Sequence, residues 1–84
     1  MNDAGLKVVV TNILKGIAPE FDYDQLADNA NLRKTLDIDS FDALRFFIGI
    51  KEELGVDIPE SDYGNLTTLA EIVRYLSEQG DVRE

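Results

Sequence analysis

The sequence predicts an all-α fold: a small bundle of three main helices plus one short helix, with a long loop between the first and second. Three observations carry this. Apolar residues recur at helical spacing in three segments, cap and stop residues sit at the ends of those segments, and Val56-Asp57-Ile58 is the sole brief strand candidate. In the first segment Leu6, Val9, Val10, Ile13, Leu14 and Ile17 form one stripe. Asn2 or Asp3 is placed to cap it, and Pro19 stops it. The β-branched run Val8-Val9-Val10 lowers local helix propensity, but the periodicity outweighs it. From Pro19 to Asp39, Asp and Asn cluster around single apolar anchors at Phe21, Leu26, Leu32, Leu36 and Ile38. This reads as a long ordered loop with one short helical turn near Asp24–Asp28, and loops of that length in small domains tend to be functional.

Helical character returns from Asp39 to Leu54, closed by Gly55. Pro59-Glu60-Ser61-Asp62-Tyr63 has room for a short turn of helix. Thr68 and Glu71 match a capping box ahead of the stripe Leu69, Ile72, Val73 and Leu76. Gly80 is expected to end that helix, and Asp81 to Glu84 to fray. Helices this short cannot bury their stripes alone, so they pack as a bundle. The 84 residues read as one domain with an ordered core over about 3–79.

Composition narrows the chemistry. With no cysteine and no histidine, there is no disulfide framework and no thiolate or imidazole for a nucleophile–base pair or a zinc site. Seventeen acids face eight bases, and residues 35–84 hold twelve of those acids, a surface that repels nucleic acid. Neither a membrane span nor a basic leader is evident, so a cytoplasmic location is expected; the chain is also expected to be a monomer. A calcium-binding EF-hand fails on its loop: Asp22 and Asp37 could each begin one, but neither is followed by the required Gly and Glu. Paired acids such as Asp37 and Asp39 are better read as surface than as catalysis, and the chain is not expected to be an enzyme.

The second helix carries more apolar surface than one neighbour can cover. At 100° per residue from Leu44, the residues Ala43, Phe46, Phe47, Ile50 and Leu54 fall between about 200° and 300°. Leu44, Ile48 and Phe41 fall at about 0°, 40° and 60°, giving a combined arc of roughly 220°. Either neighbours flank this helix on both sides, or Phe41, Leu44 and Ile48 form an exposed strip for another protein, with Arg45 and Glu52 beside it and Lys51 interrupting it. Geometry alone leaves both open.

At the start of the same helix, Asp39 and Ser40 are both good caps, and Asp42 imitates the third residue of a capping box. The wider order is more specific. Asp39-Ser40-Phe41 opens an amphipathic helix; about a dozen residues on comes Lys51-Glu52-Glu53-Leu54-Gly55-Val56-Asp57-Ile58-Pro59, and then Leu66-Thr67-Thr68-Leu69. Together these segments resemble the acyl carrier proteins, from the first helix through Leu76.

The resemblance implies that Ser40 receives a covalent 4′-phosphopantetheine arm from coenzyme A, through a separate phosphopantetheinyl transferase that uses Mg²⁺. The arm's thiol holds acyl groups as thioesters and presents them to partner enzymes such as synthases and acyltransferases. The resemblance further assigns Asp39 to positioning the transferase or its metal. It assigns the surface of Phe41, Asp42, Leu44, Arg45, Ile48, Lys51 and Glu52 to partner docking, and Phe46, Phe47, Ile50, Leu54, Leu66, Leu69 and Ile72 to an internal acyl pocket. This chain departs from the pattern in three places. Phe41 stands where Leu or Met is usual, and Arg45 and Lys51 stand where acids are. The departures favour a specialised lipid or secondary-metabolite pathway, with housekeeping fatty-acid biosynthesis as the alternative and an unmodified interaction domain of the same fold as a third reading.

Overall fold

The computed structural model describes residues 2–79. Helix α1 spans Asp3–Ile17, α2 is a single turn at Leu32–Thr35, α3 spans Ser40–Leu54 and α4 spans Leu69–Ser77. Two 3₁₀ segments, Tyr23–Gln25 and Glu60–Asn65, punctuate the connections. The expected end of α4 at Gly80 and the fraying tail lie outside the described residues.

The helix boundaries follow from local chemistry. Asn2 caps α1, its side-chain oxygen accepting the Gly5 N–H at 2.8 Å. The helix ends at Ile17, two residues before Pro19. Gly55 closes α3 in the left-handed conformation at φ 72°, its N–H donating to the Lys51 carbonyl. Thr68 and Glu71 complete a reciprocal capping box on α4. Val56 and Ile58 are buried without forming a strand, and the isolated bridge between Asn31 and Thr68 is the sole β-pairing among the described residues.

The core joins the stripes of all three long helices: Leu6, Val10 and Leu14 from α1, Phe46, Phe47, Ile50 and Leu54 from α3, and Leu69, Ile72, Val73 and Leu76 from α4. Helix α1 packs against both α3 and α4. The two-sided burial considered for α3 is not what occurs, since Phe41, Leu44 and Ile48 remain exposed. Its core face meets α1, where Gly49 lets the helices approach so closely that an added Cβ would stand 2.8 Å from Ile13 Cγ2.

The long loop is held at several points. Tyr23 lies under the end of α1, its hydroxyl within hydrogen-bond distance of the Leu14 and Ala18 carbonyls at 2.9 and 2.7 Å. The helical turn expected near Asp24–Asp28 sits slightly earlier, at Tyr23–Gln25, because Asp22 caps it through the Asp24 N–H. Further along, Leu32 N–H donates to the Thr67 carbonyl and Ala70 N–H to the Asp28 carbonyl, at 2.8 and 2.9 Å. These bonds stitch the loop to the start of α4. The additional turn α2 was not expected. It forms because Asn31 caps it through the Lys34 N–H while Leu32 and Leu36, four apart, both reach the core.

Candidate functional site

The turn between α2 and α3 sets the site. Asp37 adopts φ 53°, a left-handed conformation that Asp tolerates better than most residues. Its neighbour Ile38 donates its N–H back to the Arg33 carbonyl at 3.1 Å. The chain then enters α3 with Asp39, rather than Ser40, as the cap: Asp39 Oδ1 accepts the Asp42 N–H at 2.9 Å. Ser40 is thus the first helical residue. The capping box is only half formed, since the Asp42 carboxylate pairs with Arg45 at 3.5 Å.

Ser40 is exposed, and its Oγ accepts a hydrogen bond from Arg33 Nη2 at 3.0 Å. It sits among the first-turn N–H groups that a helix leaves without intrahelical partners, at the positive end of the helix dipole. Asp39 is exposed beside it. This combination of an open hydroxyl, a guanidinium and a helix N-terminus suits a phosphate ester on Ser40.

Beside Ser40 opens a cavity of about 580 Å³ between α3 and the segment leading into α4. Of the residues expected to form an interior pocket, Phe46, Phe47, Leu66 and Ile72 line it; Ile50, Leu54 and Leu69 belong to the core and do not. The opposite wall comes from Glu60, Tyr63 and Gly64, with the Tyr63 ring stacked on Phe47 at 4.0 Å between centroids and 7° between planes. Neither Tyr63 nor Arg33 is evident as a site residue from sequence. Arg33 lies seven positions before Ser40 in a segment with no periodic signal, and only the left-handed turn at Asp37 brings the two together.

The outer face of α3 presents Phe41, Leu44 and Ile48 with 69%, 44% and 48% of their surfaces accessible. An exposed strip, one of the two arrangements open from sequence, is what the structure has. Arg45 flanks it in its pair with Asp42, and Lys51 lies 3.7 Å from Asp57. Glu52 is exposed on the same helix.

Fold and site together describe a small helical bundle with an exposed serine at a helix start, beside an apolar cavity. The model of the family described as "Phosphopantetheine attachment site" matches residues 9–76. An acyl carrier protein of Lactobacillus acidophilus is 34% identical over 62 residues, covering 73% of this chain and 78% of that protein. An acyl carrier protein of Zymomonas mobilis is 31% identical over 72 residues, covering 86% of this chain and 85% of that one. The chain belongs to the acyl carrier protein family. It is a carrier and not an enzyme, and its cofactor is covalently attached 4′-phosphopantetheine. Synthases, acyltransferases and a phosphopantetheinyl transferase are the general classes of partner in this family. Among the described residues no helix is long and apolar enough to cross a membrane.

Proposed function

We propose that Ser40 is the attachment residue and that this carrier serves a dedicated lipid or secondary-metabolite pathway in the cytoplasm. The observation that carries the first part is the exposed Ser40 Oγ at the start of α3, contacted by Arg33 and placed at the mouth of an apolar cavity. The bound cofactor supplies a terminal thiol that holds acyl groups as thioesters. Ser40 supplies the anchoring oxygen, and the α3 N-terminus with Arg33 accommodates the negative charge of the ester. Asp39 holds the first turn through Asp42 N–H and leaves its exposed carboxylate facing the transferase or the metal that enzyme brings. The cavity lined by Phe46, Phe47, Leu66 and Ile72 shelters acyl cargo, while Phe41, Leu44 and Ile48 contact partner enzymes.

Intact and peptide masses test the attachment. Incubation with coenzyme A, Mg²⁺ and a broad-specificity phosphopantetheinyl transferase is expected to add one phosphopantetheine group, lost in Ser40→Ala. No gain sinks the reading and favours the unmodified interaction domain, whereas a gain that survives Ser40→Ala sinks Ser40 as the attachment residue.

The dedicated pathway is supported by the charge of the docking helix. Asp42 is engaged by Arg45, and Lys51 adds a second cation, so the strip meets partners with a mixed rather than an acidic border. Arg45→Glu combined with Lys51→Glu is expected to raise turnover of the loaded carrier by a housekeeping fatty-acid ketosynthase. An unchanged or lower rate favours the housekeeping role instead.

A further inference from the structure

The cations on and around α3 are not equivalent. Arg45 and Lys51 each pair with a carboxylate. Arg33 instead directs Nη2 at the uncharged Ser40 Oγ, 3.0 Å away, and has no carboxylate partner among the described residues. A guanidinium carries five N–H donors in a planar fork and a permanent charge, which matches the oxygens of a phosphate better than a single hydroxyl.

Its position is built into the backbone. Leu32 and Leu36 are buried and fix α2 to the core, leaving Arg33 on the outside. The left-handed turn at Asp37 and the bond from Ile38 N–H to the Arg33 carbonyl then fold the start of α3 back towards α2. Arg33 and Ser40 both line the mouth of the 580 Å³ cavity. An anion attached to Ser40 would therefore lie between the guanidinium and the cavity opening.

We propose that Arg33 is a binding residue for the phosphodiester that joins Ser40 to its arm, and that it holds the proximal end of the arm against the cavity mouth. The proposal rests on Ser40 being the attachment residue. When Ser40 Oγ becomes an ester oxygen, Arg33 turns its fork to the non-bridging oxygens of the phosphate, a charge-assisted contact. The pair is exposed to water, so its effect is orientation rather than stability.

The test uses the full chain as wild type, Arg33→Ala, Arg33→Lys and Arg33→Gln, each unloaded and loaded, with peptide mass locating the modification. The readouts are the ³¹P resonance of the phosphodiester and the side-chain Nε–Hε resonance of Arg33. In the wild type, loading is expected to shift the Arg33 resonance. The ³¹P line in Arg33→Ala is expected at its position in the urea-unfolded loaded protein, with Arg33→Lys intermediate. At about 1 M salt, where screening acts within about 3 Å, the wild-type line moves towards that same position. Should Arg33→Ala not fold, Arg33→Gln removes the charge and carries the same comparison. An Arg33 resonance indifferent to loading, with one ³¹P position in the wild type and the neutral variants, overturns the clamp while Ser40 remains the attachment site. Loading that does not occur on Ser40 overturns both.

Discussion

At the scale of single residues, the geometry of the site depends on Asp37. A non-glycine residue at φ 53° carries a steric cost, and Asp is among the few that bear it well. Asp37→Gly removes that cost and is expected to leave stability unchanged or raise it by up to about 1 kcal/mol. Asp37→Val places a β-branched side chain in the same conformation and is expected to lower stability by about 1–2 kcal/mol. Urea denaturation of the two variants distinguishes these outcomes. Equal midpoints would show that the turn does not depend on its backbone conformation. The Ser40–Arg33 contact should respond as well, because both residues are positioned across this turn. In Asp37→Val the Arg33 Nε–Hε resonance is expected to move towards its position in the unfolded chain.

At the scale of elements, the three long helices were legible because each buries a stripe whose spacing is written in the sequence, with caps at Asn2, Asp39, Gly55 and Thr68 where the chemistry requires them. The exposed strip on α3 was half legible. The wide arc announced surplus apolar surface, but only the tertiary arrangement decides which part α1 covers. Helix α2 and the contact between Arg33 and Ser40 were not legible, because a single turn has no period and its stability comes from Leu32 and Leu36 reaching the core. Gly49 shows the same limit from the other side. In sequence it is a weak point in a helix, whereas in the fold it is a place where α3 packs tightly against Ile13 of α1. Gly49→Ala gains about 1 kcal/mol of helix propensity, but drives a methyl group to 2.8 Å from the stiff β-branched Ile13, an overpacking cost of about 1–3 kcal/mol. The net change is expected to be destabilising, by about 1 kcal/mol. In an Ile13→Ala background the obstructing methyl is gone and the same substitution should stabilise. A double-mutant cycle by denaturation reads the reversal of sign, and its absence would mean that Ile13 moves aside freely.

For the whole molecule, stability should fall at both ends of the pH scale, for reasons located in different side chains. Glu71 accepts from the hydroxyl of Thr68, then from that of Thr67, and from Thr68 N–H, and these bonds hold its carboxyl below the ordinary value of 4.5. The unfolded chain therefore binds a proton at this residue before the folded one does. The contribution is complete above 4.5 and disappears as pH falls through the lowered folded value. Tyr23 shifts the other way. Burial at the end of α1 disfavours the phenolate and raises its pKa above 10.0. Tyr75 is likewise raised, first by burial and then by the hydrogen bond that its hydroxyl donates to Asp62. For both tyrosines the folded state retains its proton longer, so their contributions are complete below 10.0 and are lost as pH rises through the raised folded values. Urea midpoints followed from acid to alkaline pH should thus show a plateau with two shoulders. Glu71→Gln is expected to flatten only the acid shoulder, and Tyr23→Phe to reduce only the alkaline one. The Phe variant also removes the hydroxyl that serves the Leu14 and Ala18 carbonyls, so its plateau should drop by about 1 kcal/mol. An acid shoulder unaltered in Glu71→Gln would assign that loss to the repulsions and pairings of the other acidic residues. The capping box would then stabilise α4 without setting the protein's response to acid.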